Sequence, residues 1–258
     1  MVDLRSLATE DHVELTGLFE GHRRRRDGLD AMLEGRLGEA VCSRDGSVAR
    51  LSYSDLSFYG GDFDSDAARA LIKSWDGGMT PENDTWESLM LEVKGEGCER
   101  RLRRDHDPAD FNVDHLQSII ASLPTGYEIK QLDLSLARKL IADIHPAFIN
   151  NFDSVESFAA DGVGFGVLYE GAFVSGVTSS VVARRSLGPQ IISMPEHRSK
   201  NLATTVSAAL ILWCLEADLA VYWSASTDAS FRVAQKLGYV DPDIYEEIKG
   251  QKEGGVED

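Results

Sequence analysis

The feature that most restricts the fold of this chain is an apolar run, VSAALILWCL, at residues 206–215. It lies within a predicted helix over residues 201–217, and its apolar side chains occupy almost every face of that helix. Such a helix must be covered on more than one side, so we expect it to pack on a sheet and beneath a further element. The run is far too short to span a bilayer.

Helix-like and strand-like segments alternate around this helix, which predicts an α/β (α+β) fold. The first part of the chain predicts helices at 9–25, 66–74 and 114–121, strands within 38–62 paired across an Asp45-Gly46 turn, and an ambiguous segment at 85–93. The second part predicts a strand at 127–134, helices at 135–144 and 154–160, a hairpin over 164–183 turning at Glu170 and Gly171, strands at 189–194 and 220–226, and a helix at 229–237. No tandem sequence repeat is apparent.

Length and composition allow two modest domains. The chain has 258 residues, of which 43% are hydrophobic, enough to bury a sizeable core. The residues Leu-Pro-Thr-Gly at 123–126 form a stop-and-turn sequence. We therefore expect an N-terminal α/β domain over 1–122, a second domain over 126–258, and a frayed tail at 250–258.

The charge of the chain disfavours several classes of partner. The formal net charge is −17, and both halves are acidic, so neither nucleic acid nor an anionic membrane is expected to bind. The arginine clusters at 22–26 and 100–104 lie among acids and indicate solvated helix faces or internal ion pairs. An acidic protein instead favours a cationic small molecule.

No metal is predicted, and the chain is expected in a reducing cytoplasm. Three scattered cysteines, Cys42, Cys98 and Cys214, have no zinc-site spacing. The aspartates of DFDSD (62–66) resemble the start of a calcium loop, but Ala67 and Lys73 stand where that loop requires glycine and glutamate. Acids leading into a helix are the simpler interpretation. The N-terminal residues show no secretory signal.

The run MPEHRSKNLATT (194–205) precedes the apolar helix and carries Arg198 and Lys200. The start of a helix exposes unpaired N–H groups and the positive end of its dipole, which together bind phosphate. Asn201 stands where the best-known anion-binding loops carry glycine, and asparagine tolerates the left-handed conformation better than most residues. On this stretch alone, a phosphate-binding turn and an ordinary helix cap are equally supported.

The wider order of motifs resembles the GNAT (Gcn5-related) N-acetyltransferase superfamily. A strand, an R-x-x-x-x-A turn, the buried helix, a strand, a Ser/Thr/Asp-rich cap, a helix and KLGY follow one another between about residues 126 and 245. The stretch HRSKNLATTVSAALILWCLEADLAVYWSASTDASFRVAQKLGY also resembles a subgroup that includes zwittermicin-type resistance acetyltransferases. The resemblance implies a mixed, mostly antiparallel central sheet with flanking helices. The preceding domain would cover the acceptor side.

The resemblance implies acetyl-CoA as co-substrate, and its binding residues can be carried over one by one. The family's pyrophosphate turn falls on Arg198, Ser199, Lys200, Asn201, Leu202, Ala203 and Thr204. The family's fourth strand, which pairs with the pantetheine arm, falls on Ile192, Ser193 and Met194. Thr227 and Ser230 match a family N-x-x-S pattern. Thr227 can equally be only a helix cap, and Lys236 only a surface charge.

At two positions this chain lacks the proton-transfer groups that many members of the family carry, although the subgroup also carries alanine at the second of them. The fourth strand carries Gln190 and no acid, and Ala234 stands where many members place a tyrosine that protonates the departing thiolate. The nearest candidate bases in sequence are Glu196 and His197, which can equally face solvent or cap the helix. Binding of the donor is therefore better supported than the identity of any catalytic group.

We expect a cytoplasmic N-acetyltransferase that moves an acetyl group from acetyl-CoA to the amine of a small, cationic acceptor. The alternative is a catalytically degenerate GNAT fold that serves as a CoA-binding or ligand-binding sensor or interaction module. A cofactor-free structural domain would require the match at the turn to be accidental. The sequence indicates no oligomeric state.

Overall fold

A computed structural model of the chain describes residues 2–95 and 97–250. These residues form two compact units. Unit 1 comprises residues 2–105 and 243–250, and unit 2 comprises His106–Pro242. These limits differ from the predicted segments 1–122 and 126–258, because the helix near residue 115 packs in unit 2 and a strand near residue 246 joins the sheet of unit 1.

The described residues form strands, α-helices and three 3₁₀ segments. The strands are β1 (Leu4–Leu7), β2 (Glu39–Ser43), β3 (Val48–Tyr53), β4 (Leu56–Gly61), β5 (Gly78–Thr80), β6 (Glu99–His106), β7 (Tyr127–Gln131), β8 (Gly164–Tyr169), β9 (Ala172–Val182), β10 (Ser186–Ser193), β11 (Ala220–Val221), β12 (Trp223–Ala225) and β13 (Asp243–Lys249). The helices are α1 (Arg26–Leu33), α2 (Asp66–Lys73), α3 (Asp84–Lys94), α4 (Val113–Ala121), α5 (Leu134–Asp143), α6 (Val155–Asp161), α7 (Leu202–Glu216) and α8 (Asp228–Leu237). The 3₁₀ segments are Thr9–Phe19, Pro146–Ile149 and Pro195–His197.

The sheet of unit 1 has the strand order β1-β2-β3-β4-β5-β13-β6. Neighbouring strands are antiparallel except β4 and β5, which are parallel and connected by α2. Helices α2 and α3 cover one face, where Tyr59, Ile72, Trp86 and Ile248 are buried in one apolar cluster. Each of these helices begins at a residue that caps it, Ser65 for α2 and Asn83 for α3.

The sheet of unit 2 has the order β11-β10-β9-β8-β7, again antiparallel except for the parallel pair β10 and β11. Helix α7 connects that pair and lies on β8, β9 and β10, with α4 and α8 packed against it. Most of its residues, including Val206, Leu210 and Ile211, are buried. The expectation that this helix is covered on more than one side is confirmed, and the mixed, mostly antiparallel fold is as predicted.

The two units follow the same path. In each unit a sheet strand (β1, or β7, which follows α4) leads through helical segments to a three-stranded meander (β2-β3-β4 or β8-β9-β10) beside that first strand. A crossover helix (α2 or α7) then leads to a parallel strand (β5 or β11), and another helix follows (α3 or α8). The chain therefore contains a structural repeat without an apparent sequence repeat.

The prediction of one helix over residues 9–25 is wrong. A 3₁₀ segment ends at Phe19, and α1 begins only at Arg26. Between them Arg25 adopts a left-handed conformation, with φ of 49°, and its backbone N–H donates to Asp105 Oδ2 at 2.7 Å. A hydrogen bond to a residue 80 positions away thus stabilises the break between the 3₁₀ segment and α1. No local sequence pattern could reveal this contact.

Several other boundaries also differ. The predicted strand at 220–226 is broken at Tyr222, the strand at 127–134 ends at Gln131 because Asp133 caps α5, and the ambiguous segment 85–93 lies in α3. Strands β1, β5, β6 and β13 were not predicted. The arginine clusters form internal ion pairs, such as Arg26–Asp30 and Arg103–Glu247. This was one of the two interpretations of these clusters. Most of the predicted tail, residues 251–258, lies outside the described residues.

Candidate active site

The parallel strands β10 and β11 of unit 2 part after two residue pairs. Ser186 and Leu187 pair with Ala220 and Val221, and the backbone N–H of Tyr222 donates to Leu187 O at 3.0 Å. Beyond that point β10 continues along β9 as far as Ser193, but β11 no longer accompanies it. The residues from Pro189 to Ser193 are accordingly only half-buried, whereas Ser186–Gly188 are buried. The separation leaves one edge of β10 open.

The hydrogen-bond pattern shows which backbone groups face this open edge. Met194 N donates to Val174 O on β9, and the pairing continues in register through Ile192 and Gly176. In an antiparallel ladder the bonding direction alternates, so Ile191 and Ser193 direct their N–H and C=O groups away from β9. Pro189 lies on the same edge but has no N–H. The open edge therefore offers the N–H groups of Ile191 and Ser193.

The chain between β10 and α7 forms a turn with two left-handed residues other than glycine. Ser199 has φ of 62° and Asn201 has φ of 59°. Asn201 is the N-cap of α7, yet no side chain of the described residues caps the helix. Its carbonyl accepts from Thr205 N and Thr205 Oγ1, both at 3.0 Å. Asparagine thus adopts the left-handed conformation for which glycine is the usual residue. The first N–H groups of α7 remain available to bind an anion.

Three cations surround the start of α7. Arg198 is exposed, and its Nε donates to Ser193 O at 3.3 Å, which places the guanidinium beside the end of β10. Lys200 Nζ donates to Tyr127 OH at 3.0 Å. Lys236 Nζ, from α8, donates to Asn201 Oδ1 at 2.6 Å. From the sequence, Lys236 can be only a surface charge, and nothing indicates a role for Tyr127. Both residues approach the turn from distant segments of the chain, so the local sequence does not reveal these contacts.

His197 lies in an aromatic cluster rather than at the open strand edge. Its Nδ1 is 3.0 Å from Tyr127 OH, and its ring lies 5.8 Å from the ring of Tyr127 and 5.2 Å from that of Tyr169. Tyr127 and Tyr169 are paired residues of β7 and β8, which lie three and two strands away from β10, respectively. The side chain of Glu196 is exposed. Neither residue is brought to the N–H groups of Ile191 and Ser193.

The remaining predicted donor-binding residues fall into two groups. Leu202 and Thr204 have buried side chains and half-buried Ala203 lies between them, so all three offer the turn mainly their backbone N–H groups. Thr227 caps α8, since its Oγ1 accepts from Ser230 N at 3.1 Å, and Ser230 Oγ accepts from Trp223 Nε1 at 3.2 Å. The helix-cap interpretation of Thr227 is therefore confirmed.

Two ionisable residues of unit 2, Cys214 and Tyr239, are buried in its hydrophobic core. Burial raises the pKa of the Cys214 thiol on α7 to about 12, which disfavours the reactive thiolate at neutral pH. Burial also raises the pKa of Tyr239 well above its ordinary value, and its hydroxyl donates to Val221 O at 2.9 Å. Ala234, where the family often has a tyrosine, is fully buried.

Comparison with known proteins identifies the fold. A family model described as GNAT acetyltransferase matches residues 17–248, which include both units. The chain belongs to the GNAT acetyltransferase family. The splayed strands, the cationic turn and the buried helix α7 are thus features of a GNAT protein.

Individual relatives agree with this assignment. An uncharacterized N-acetyltransferase of Bacillus subtilis (strain 168), YdfB, is 26% identical over 161 residues, a match covering 61% of this chain and only 59% of that protein. A GCN5-related N-acetyltransferase-like protein from Streptococcus suis 89/1591 is similar in structure, with a TM-score of 0.78 and 25% identity over 95% of this chain and 100% of that one. A GNAT-family acetyltransferase from Colwellia psychrerythraea, with a TM-score of 0.61, 10% identity and coverage of 95% and 97%, shows the same fold.

Within residues 2–95 and 97–250, no group of three or more His, Cys, Asp or Glu residues could hold a metal ion. Ser65 caps α2 directly after the aspartates Asp62 and Asp64, so the DFDSD stretch leads into a helix. In the same part of the chain, no helix is both long and apolar enough to cross a membrane.

Proposed function

We propose that this GNAT protein transfers the acetyl group of acetyl-CoA to the amine of a small, cationic acceptor. The observation that carries the proposal is the open edge of β10 directly before an uncapped helix start with three cations. A strand edge suits the amide-rich pantetheine arm, and the start of α7 suits the pyrophosphate. In a member of the N-acetyltransferase family, this combination favours acetyl-CoA as donor.

The residues of the turn fit the donor in charge and in conformation. The exposed Arg198 and Lys236 would pair with phosphate oxygens, and the N–H groups of Leu202, Ala203 and Thr204 would donate to them. Along the open edge, the N–H groups of Ile191 and Ser193 would donate to the pantetheine arm or the acyl oxygen, whereas Ile192 and Met194 direct theirs to β9. When bound, acetyl-CoA supplies an activated acyl group.

The chain's own contribution to the chemistry is then position and electrostatic stabilisation. Backbone N–H groups held by the β9–β10 ladder need no reorganisation to stabilise negative charge on an acyl oxygen. An amine held beside that site reacts with a high effective concentration. Since neither His197 nor Glu196 lies beside Ile191 and Ser193, the proton of the amine would pass to solvent, and the pH–rate profiles of His197→Gln and Glu196→Gln test this route.

The acceptor is proposed to be cationic because the chain carries a net charge of −17 and the family name specifies transfer to nitrogen. Resemblance of the 197–239 stretch to zwittermicin-type resistance enzymes supports a small-molecule acceptor rather than a protein. The N-terminal domain covering the acceptor remains a prediction, as does the cytoplasmic location.

The proposal is tested by release of free CoA from acetyl-CoA in the presence of a panel of polyamines, aminoglycosides and amino acids. We expect turnover with at least one cationic amine and a higher KM for acetyl-CoA in Arg198→Ala. Turnover only with neutral or anionic acceptors would contradict the acceptor class. Tight CoA binding without turnover on any amine would favour the degenerate binding module.

A further inference from the structure

Unit 1 contains the topological equivalent of the donor site. Its parallel strands β4 and β5 are connected by α2, as β10 and β11 are connected by α7. Leu56, Ser57 and Phe58 of β4 pair with β5, and the last residues of β4 run past the end of that pairing. The turn between Gly61 and α2 therefore corresponds to the cationic turn of unit 2.

The charge of this turn is opposite to that in unit 2. Asp62, Asp64 and Asp66 are all exposed and surround the start of α2. Ser65 caps the helix, because its Oγ accepts from Ala68 N at 3.1 Å and donates to Asp62 O at 2.8 Å. A phosphate at this helix start would meet three carboxylates and lose one of the N–H donors to Ser65.

The end of β4 that runs past β5 is also covered in unit 1. Tyr59 and Gly60, which lie beyond the pairing with β5, are buried, whereas the corresponding part of β10 is half-buried. The 3₁₀ segment Thr9–Phe19 lies directly against β4, so that a Cβ added to Gly60 would be 2.4 Å from Leu18 O. Because the Cβ of a strand residue points to a face of the sheet, this contact shows that the 3₁₀ segment covers that face at Gly60, on the end of β4 that runs past β5.

Residues after the 3₁₀ segment bridge the two parting strands. The ring of His22 packs on Phe58 of β4, with 5.3 Å between ring centroids, and His22 Nε2 lies 3.3 Å from Thr80 O at the end of β5. The neighbouring Arg24 donates from a terminal guanidinium nitrogen to Pro81 O at 3.1 Å. His22 is 1% exposed, so the gap between β4 and β5 is filled by protein.

We infer that unit 1 is a second copy of the acetyltransferase fold whose donor cleft is closed by its own residues, so that donor binding is confined to unit 2. The chain is then a tandem of one open and one closed copy. The open copy is the donor site of the proposed function, and the closed copy takes no CoA.

The test is CoA binding by the full chain, measured by calorimetry for stoichiometry and by hydrogen exchange for location. We expect one equivalent of CoA, with protection of backbone amides in residues 189–206 and none in 57–69. The double variant Arg198→Ala/Lys200→Ala should weaken binding at least tenfold. Its matched control is Arg69→Ala, which removes an exposed cation paired with Glu92 on α3 and should leave affinity unchanged.

A second equivalent of CoA, or protection within residues 57–69, would overturn the inference. So would CoA binding that survives the double variant and is lost in Arg69→Ala. Absence of CoA binding in the wild-type chain would agree with the closure of unit 1 while contradicting the proposed function. The two proposals are therefore separable in one set of measurements.

Discussion

Asn201 shows how one residue can meet two demands at the start of α7. Its left-handed backbone, with φ of 59°, directs the chain into the helix, and its side-chain oxygen accepts from Lys236. Glycine would satisfy the first demand better, since it adopts this conformation without steric cost, but it could not make the second contact. Asparagine therefore replaces the glycine expected from the family pattern, and the left-handed backbone conformation is retained.

Comparison of Asn201→Gly with Asn201→Ala tests this account. Both variants lose the contact with Lys236, but only alanine bears the cost of the left-handed conformation, about 1 kcal/mol. We expect Asn201→Gly to retain or improve stability and CoA affinity, and Asn201→Ala to be less stable than Asn201→Gly by about that amount. Thermal unfolding and calorimetry measure the two effects. Equal losses in both variants would show that the side-chain contact, not the backbone, determines the residue.

Arg198 is the residue of the turn with the strongest expected effect on the donor. It is exposed and already positioned by its bond to Ser193 O, so little ordering is needed to bind a phosphate. Arg198→Ala should weaken CoA binding by about 1–2 kcal/mol, the value of a charge-assisted hydrogen bond. The control is Arg185→Ala, an exposed arginine just before β10 that pairs with Asp218. An equal effect of the two substitutions on calorimetric affinity would assign the loss to net charge alone.

At the scale of elements, the predictable features are those with a local cause. Helices α2, α5 and α6 each follow a side chain that caps them, and the hairpin of β8 and β9 turns at Glu170 and Gly171 as predicted. Strand β6 could not be recognised, since its arginines are matched by acids on β13, with Arg103 and Glu247 lying 144 positions apart. The same holds for Lys236, which reaches the turn from α8.

Strand β13 offers a test of how strongly the C-terminal segment supports unit 1. Ile248 is fully buried in the cluster with Met79 and Trp86, whereas Ile244 on the same strand is 57% exposed. Ile248→Ala should reduce the free energy of unfolding by about 2–5 kcal/mol. Ile244→Ala should change it by no more than about 0.5 kcal/mol. Similar small effects in chemical denaturation would mean that β13 is not part of the cooperative core of unit 1.

At the scale of the whole molecule, the buried His22 links stability to pH. Burial lowers its pKa to about 4, and the nearby Arg24 and Arg26 act in the same direction. In the unfolded chain, His22 binds a proton near pH 6.5. The stability that the folded chain gains from a neutral His22 is therefore complete above pH 6.5 and is lost as the pH falls towards 4. The full difference between the two pKa values of His22 corresponds to about 3 kcal/mol in the free energy of unfolding.

Substitution of His22 by Gln should therefore flatten the acid side of the stability profile. The wild-type chain should lose stability between pH 6.5 and pH 4 more steeply than His22→Gln, as measured by urea denaturation at each pH. Carboxyl groups whose pKa is raised by burial, such as those of Asp30 and Glu82, act in the opposite direction but are common to both proteins. Parallel profiles would show that His22 is already charged in the folded chain.

The net charge of the molecule, −17, makes its own prediction for the proposed acceptor. A strongly acidic protein raises the local concentration of cations, and salt reduces this effect as the Debye length falls from about 10 Å at 0.1 M to about 3 Å at 1 M. The KM for a cationic amine should therefore rise with ionic strength at saturating acetyl-CoA, while kcat stays constant. A zwitterionic amine of similar size is the control and should show a smaller change. If KM for both amines were independent of salt, the acceptor would be held by local contacts, and the acidic composition would have no part in its selection.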